Sequence, residues 1–574
     1  MISMHKTHNC GELRSSDVGK TVTMAGWVQA IRLHGHIAFL DIRDRYGITQ
    51  ATVGESFSEL TKELRRESVV KITGQVAKKP SPNMRLATGE IEITATNFEV
   101  LNMAEPLPIE IEADNSDDIR LRYRYLDLRR PAMQHRLALR DSIAAAFRKH
   151  LRSRGFLEIE TPLLIKSTPE GARDYIVPSR VHHGKSYALP QSPQLYKQLL
   201  MASGCERYFQ IARCLRDEDL RADRQPEFTQ VDIEMSFVEQ EDIFTIGEEV
   251  VRNVVHDVKG VKLPHFTRIA YDESMDRFGC DKPDLRFGME LTDVTYIVRT
   301  CDFQVFATAP MVKCIVVPAA LQRKDIERYT DFAKEQKAKG LAWTVTKQGQ
   351  LDGGIAKFLT EEVQKNLIKA VDAKEDQTLL FVADRPKIVN DALAKLRNLL
   401  GKEYKLYDPS ILHFAWVTDF PLFEFDDDLQ TWMPAHHMFT MPRAEHMQYL
   451  HTDPGKVHAQ CYDLVLNGVE MASGSIRVHR QDIQREIMKA MGITEEQARS
   501  KFGFLLEAFT YGAPPHGGFA IGMDRFCAML EGENDIRDYI AFPKNKSAEC
   551  PMDGSPSPLD EHQLDELGLS YKKL

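Results

Sequence analysis

The first hundred residues constrain the fold of this 574-residue chain more tightly than any other stretch. Five β-rich segments, Thr21–Val28, Ala38–Ile42, Thr49–Val53, Val69–Val76 and Ile91–Ala95, are separated by Gly, Pro or charged turns. Ile91, Ile93 and Ala95 alternate with polar partners, as a half-buried strand requires. A helix-like stretch, Ser56–Glu67, falls between the third and fourth segments.

Five strands with a helix in that place is the pattern of an OB-fold barrel, whose face commonly binds single-stranded nucleic acid. The remaining length calls for several more domains. Hydrophobic content of 43% and charged content of 28% describe an ordinary globular protein rather than a disordered one. Nine scattered cysteines form no Cys-x-x-Cys pair, which argues against a zinc site and a secreted disulfide framework. No apolar run suits a membrane span or signal peptide, so a cytoplasmic enzyme with no membrane partner is expected. Net charge is −10, but between Arg120 and Arg154 eleven Lys or Arg residues face only Asp127 and Asp141. That stripe is either a track for a phosphate backbone or a solvated helix face.

Residues 1–105 are thus expected to be the barrel and 106–135 a hinge, broken by Pro106 and Pro108 and ending in an arginine-rich run before Pro131. From Arg136 to Ser153, Leu139, Ile143, Phe147 and Leu151 recur four apart on one helical face. Gly155 stops the helix, and a strand, Phe156–Glu160, precedes Pro162. Segments 136–283 and 411–543 read as one sheet domain split by an α+β insertion at 284–410. The insertion carries strands at Cys314–Val317, Leu341–Val345 and Leu379–Val382 and helices at Glu361–Ala373 and Val389–Leu400. Residues 544–574 form a polar surface-running extension.

Familiar nucleotide motifs fail. Gly19-Lys20-Thr21 and Gly184-Lys185-Ser186 lack the earlier P-loop glycine, having Arg14 and Ser179 there, and no dinucleotide fingerprint follows a strand. The His182-His183 and His436-His437 pairs lack the spacing of metal ligands. Two other stretches carry nucleotide chemistry. Leu215-Arg216-Asp217-Glu218-Asp219, followed by Arg224-Gln225-Pro226-Glu227-Phe228, offers guanidinium, carboxylates, amide and an aromatic face. Gly517-Gly518-Phe519-Ala520-Ile521-Gly522-Met523-Asp524-Arg525 admits close backbone approach ahead of another arginine.

Together these stretches resemble motifs 2 and 3 of the class II aminoacyl-tRNA synthetases, and the helix and strand before Pro162 resemble motif 1, the dimer interface of that class. Gln191-Ser192-Pro193-Gln194-Leu195-Tyr196-Lys197, Asn467-Gly468-Val469-Glu470 and Ser475-Ile476-Arg477 narrow the resemblance to bacterial-type aspartyl-tRNA synthetases, almost end to end. The resemblance implies an α+β multidomain homodimer: an N-terminal OB-fold β-barrel, an antiparallel-sheet catalytic domain and an inserted domain. It implies aspartate activation by ATP with Mg²⁺, then transfer to tRNA(Asp).

By the same resemblance, Arg216 contacts the α-phosphate, Phe228 stacks on adenine with Arg525 opposite, and Glu218 and Gln225 lie near base and ribose. Asp217, Gly522, Met523 and Asp524 belong to the same ATP site, and Asp463 and Glu470 hold the magnesium. Lys197 and Arg477 face the substrate side-chain carboxylate, where an asparagine amide would set donors against donors. Sites built on such pairing discriminate by roughly 10⁴–10⁵-fold. Asp232 and Gln194, helped by Ser192, accept the substrate ammonium, Glu170 lies on a closing loop, and His436 and His437 sit over the amino acid. Anticodon reading falls to Phe39 by stacking and Gln50 by hydrogen bonding, and His34 hints at acceptance of tRNA(Asn) as well. One departure stands out: Ala472 and Ser473 occupy places where the family more often has glycines. The rival readings are asparagine or lysine charging, a tRNA-independent asparagine-forming ligase, and a catalytically inactive tRNA-binding paralogue acting as a regulator.

Overall fold

The computed structural model describes residues 6–168, 171–426 and 430–572. They divide into two units, Met1–Ala138 with Ala541–Asn545 and Glu549–Pro556, and Leu139–Ile540 with Lys546–Ala548 and Ser557–Leu574.

In the first unit, strands Thr21–His34, Ile37–Asp44, Gly47–Val53, Val69–Lys78 and Ile91–Asn102 close into a barrel in the order one, two, three, five, four. The third and fifth strands pair parallel, Ala51 opposite Ile93, and the other ladders are antiparallel. Ala38, Leu40 and Ile42 point inward with Ile91 and Ile93. The first strand runs six residues beyond the expected Val28 because a bulge between Val28 and Ala30 resets its register and lets it bend on. The helix stops short at Glu63, not Glu67. Glu67 turns left-handed (φ 67°) and buries its carboxylate against Arg43 at 2.8 Å and Arg129 at 2.9 Å.

The expected hinge is irregular over residues 106–116 and helical beyond. Helices Asp117–Arg122 and Arg124–Asp127 lie there, and Arg120, Arg124 and Arg130 converge on buried Asp127 at 3.1, 2.8 and 3.3 Å. Burial opposes the charge of Asp127, but the guanidiniums outweigh it and hold its carboxyl low. This part of the arginine stripe therefore satisfies an internal acid rather than facing a phosphate backbone. Farther along, Arg148 and Arg152 pair with Glu158, and Arg154 with Glu249.

The second unit is built on an eight-stranded sheet. Its order is Thr267–Ala270, Phe414–Thr418, Cys461–Leu466, Val469–Ile476, His516–Gly522, Glu227–Ser236, Arg207–Leu215, Leu157–Glu158. The inner ladders are antiparallel and the two outermost are parallel. The Pro131–Ser153 helix buries Leu139, Ile143, Phe147 and Leu151 in the core beneath it, and Gly155 takes φ 79° just beyond its end. The strand after it is only Leu157–Glu158.

Within residues 284–410 lies a five-stranded antiparallel sheet, Thr292–Asp293, Met311–Val317, Thr378–Asp384, Ala342–Lys347, Gln350–Asp352. It is flanked by helices that include Arg323–Glu335, absent from the sequence reading because its polar face dominates. The expected surface extension holds a short helix, Glu561–Leu567. Among the described residues no helix is long and apolar enough to cross a membrane.

Candidate functional site

Strand periodicity builds the floor of the site. Along Glu227–Ser236 the residues Val231, Ile233 and Met235 enter the core, which turns Phe228, Gln230, Asp232 and Glu234 to the other face. Opposite them on His516–Gly522 stand Gly518, paired with Glu234, and Ala520, paired with Asp232. A Cβ on Gly518 would lie 2.0 Å from Ile233 O and 2.2 Å from Glu234 Oε2, so only glycine lets the carboxylate lie on the sheet. Ala472 points into the core, whereas Ser473 and Ser475 alternate with it on the floor side. Gly474 is the position that must be glycine, because a Cβ there would come within 2.2 Å of Gly518 O.

On this floor lies a buried cluster of alternating charge. Lys197 Nζ donates to Asp232 at 2.5 Å and approaches Glu234 at 3.3 Å. Arg477 donates through Nε and Nη2 to the two oxygens of Glu234 at 3.0 and 3.1 Å. Its Nη1 donates to His437 Nε2 and Ser475 Oγ, both at 2.7 Å. The two cations converge, but they are not unopposed: Glu234, absent from the sequence reading, joins them. Its signal was available, since it lies two residues after Asp232 and period two places both on one face. Two cations and two carboxylates make the cluster formally neutral, which a buried ion group requires.

The electrostatics follow. Burial works against ionised Glu234, but Arg477 and Lys197 outweigh it and keep the carboxyl below its usual range. Burial pushes Asp232 up despite Lys197. His437 is held well below its ordinary value by burial and then by Arg477, so its neutral ring accepts from the guanidinium. Asp232 Oδ2 and Gln194 Nε2 are buried without a hydrogen-bond partner among the described residues. Orphaned polar atoms are rare in native interiors and point here to a missing ligand. Ser192 Oγ accepts from the Gln194 backbone at 3.3 Å, which sets the start of the Gln194–Ala202 helix carrying Lys197. Glu170 lies outside the described residues.

Beside the cluster, half-buried Arg216 donates to Gln191 O at 3.3 Å and lies 5.2 Å from the Phe228 ring centre. Arg216 is thus a cation over the Phe228 ring. Arg525 Nη1 donates to Glu470 O at 2.9 Å, and its buried Nε has no partner among the described residues. Asp217 is tied by its backbone to Arg173 at 3.1 Å, Glu218 pairs with Arg224 at 3.4 Å, and Gln225 is buried. Two members of the expected ATP set have structural contacts of their own. The Asp524 carboxylate accepts from Thr229 N at 2.8 Å and from Arg140, which braces strand to helix, and the Met523 side chain is in the core. Gly522 caps that helix.

Asp463 is 2% exposed, and its Oδ1 has no partner among the described residues. Burial, then nearby Glu470, pushes its carboxyl well up. Burial also opposes charge on Glu470, but Lys282, absent from the sequence reading, outweighs it from 2.9 Å. No group of three or more His, Cys, Asp or Glu gathers among the described residues. Asp463, with an oxygen unpartnered among the described residues, and neighbouring Glu470 suit Mg²⁺, which takes one or two protein carboxylates plus phosphate oxygens. His436 packs edge-on to Phe420 at 4.9 Å, with burial holding its ring neutral.

In the barrel, Phe39 is half-exposed between Arg32 and Thr52, with Ala38 and Leu40 buried on either side of it. Gln50 donates to Glu92 at 2.8 Å and accepts from Arg32 at 3.2 Å, and His34 is exposed at the strand end.

A closed OB barrel and a largely antiparallel sheet carrying these arginines have the architecture of class II aminoacyl-tRNA synthetases. Residues 116–546 match the family described as tRNA synthetases class II (D, K and N), and residues 22–101 the OB-fold nucleic acid binding domain. The chain belongs to the class II tRNA synthetases of the D, K and N group. It is 49% identical to the aspartate–tRNA ligase of Ruminiclostridium cellulolyticum, covering 99% of each chain. To that of Geobacillus kaustophilus it is 51% identical, again over 99% of each. The aspartate–tRNA(Asp/Asn) ligase of Anoxybacillus flavithermus is 50% identical, covering 99% of this chain and 98% of its own. Among solved structures, asparaginyl-tRNA synthetase from Pyrococcus horikoshii complexed with asparaginyl-adenylate shares the fold with a TM-score of 0.61, 21% identity and coverage of 94% and 98%.

Proposed function

We infer that this chain activates L-aspartate with ATP and transfers it to tRNA. The buried Lys197–Asp232–Glu234–Arg477 cluster carries this reading, supported by relatives at about half identity over nearly full length that are aspartate–tRNA ligases. Arg477 and Lys197 hold the substrate side-chain carboxylate, and Asp232 Oδ2 and the Gln194 carboxamide oxygen accept from its ammonium. The α-carboxylate oxygen then attacks the α-phosphorus in line, and the bond to the bridging oxygen breaks as pyrophosphate leaves. Arg216 supports the charge that gathers there. In the second step a terminal ribose hydroxyl of tRNA attacks the acyl carbon, its proton passes to a phosphate oxygen of the adenylate, and AMP departs with the bonding pair. No side-chain nucleophile is required: positioning and electrostatics supply the catalysis.

Asp463 and Glu470 would hold Mg²⁺, which when bound screens the triphosphate charge. Phe228 and Arg525 would hold the adenine, with Glu218, Asp217, Gln225 and Gly522 around the nucleotide. The catalytic domain is assigned to residues 136–283 and 411–543, and anticodon reading to the barrel through Phe39, Gln50 and His34. We assign a homodimer working in the cytoplasm. Leu157, Leu163, Leu164 and Ile176, each more than half exposed, supply an apolar surface for the partner. An inactive tRNA-binding regulator would have no use for a preorganised buried cluster. The test is charging of purified tRNA with labelled aspartate, ATP and Mg²⁺, run separately on tRNA(Asp) and tRNA(Asn). Aspartylation of tRNA(Asp) is expected, its absence rejects the reading, and the second tRNA decides the His34 hint.

A further inference from the structure

Lys282 has no part in the scheme above, yet its ammonium sits where a divalent ion would be drawn. It lies 2.9 Å from Glu470 Oε2 and 3.5 Å from Asp281 Oδ2. Among the described residues it is the one cation paired with either carboxylate of the Asp463–Glu470 couple, since Arg525 donates to the Glu470 backbone instead. Asp463 is buried and keeps Oδ1 unpartnered. The lysine side chain is 37% exposed, on a flexible stem, and its second acid is on the adjacent residue. The lysine can therefore leave Glu470 without losing a counter-charge.

We propose that Lys282 is a positioning residue for the divalent ion: it occupies Glu470 in the ligand-free protein and moves over to Asp281 when the ion enters with ATP. The proposal rests on the reading of Asp463 and Glu470 as the metal carboxylates. Its consequence is ordered loading. A bare divalent ion must compete with a resident ammonium for the same carboxylate, whereas an ion carried on a triphosphate brings additional ligands and negative charge that the lysine can meet. The two carboxylates thus stay screened from each other until nucleotide arrives, and an ion bound alone does not hold the site in an unproductive form.

The test is Mn²⁺ titration of the full-length protein without nucleotide, with unbound Mn²⁺ followed by electron paramagnetic resonance. Lys282→Met should gain one Mn²⁺ site at least about tenfold tighter than the unaltered chain, as removing a unit charge at this distance implies. Lys282→Arg should stay weak, and Lys282→Met with Glu470→Gln should lose the gain. If Lys282→Met is less stable, Mn²⁺ should still raise its melting temperature by more than it raises that of the unaltered chain, through linkage of binding to folding. Equal Mn²⁺ binding and equal thermal shifts in the two proteins would overturn the proposal. A Glu470→Gln variant that keeps the ordinary Mg²⁺ dependence of pyrophosphate exchange would instead remove the metal reading beneath it.

Discussion

Glu234 and Arg477 form a buried two-point ion pair, with Nε at 3.0 Å and Nη2 at 3.1 Å from the carboxylate oxygens. The pair fixes the guanidinium plane before any substrate arrives. It leaves Nη1 directed at Ser475 and His437, so an incoming carboxylate that displaces one of them meets a donor whose direction is already set.

Removing Glu234 should therefore do more than lower activity. Glu234→Ala strands the buried Arg477 guanidinium, Lys197 keeping Asp232, and should cost about 3–5 kcal/mol of stability, measured by urea unfolding. It should also raise the KM for aspartate in pyrophosphate exchange. Unchanged stability and KM together would mean that the pair orients nothing.

Arg216→Ala should lower kcat for aspartate-dependent pyrophosphate exchange by roughly 10²–10³-fold, the scale of losing one donor to transition-state charge. Near-normal exchange would reject the α-phosphate role.

His516 supplies a pH signature. It is buried, and burial lowers its pKa to about 4, while an unfolded histidine titrates near 6.5. Between those values the unfolded chain holds a proton that the folded one refuses. The stabilisation is therefore fully present above pH 6.5, is lost as pH falls toward 4, and changes no further below. The span amounts to about 3 kcal/mol. Carboxylates titrate in the same window, so the readout is the difference from His516→Gln, whose stability should fall less over pH 6.5 to 4. Parallel profiles would contradict a neutral buried ring.

Phe39→Ala should weaken tRNA charging by the loss of one stacking contact, about 1–3 kcal/mol, and leave pyrophosphate exchange unchanged. Equal losses in both assays would give the barrel another task.

The strand alternation made the barrel legible, whereas the residues on the floor of the site were reached through the motif resemblance, although the same alternation runs there. Apolar Val231, Ile233 and Met235 announce a buried face and so place Phe228 and Asp232 opposite it. Glu234 escaped because a glutamate among apolar neighbours shows no partner until Arg477, distant in sequence, is folded onto it. Lys282 and Glu470 are separated in the same way, and no local pattern joins them. Asp524 shows the converse: its motif suggests nucleotide, and no local pattern announces that its oxygens accept from Thr229 N and Arg140. The arginine run after Arg120 illustrates the same limit, since charge along a sequence does not reveal that one buried acid, Asp127, collects three of its members.

The most direct test of the central claim is pyrophosphate exchange by the purified protein with each of the twenty amino acids in turn. Aspartate should support exchange on the order of 10⁴-fold better in kcat/KM than asparagine, because the amide would set its own N–H donors against those of Lys197 and Arg477. Comparable exchange with asparagine or lysine, or none with aspartate, would contradict the account.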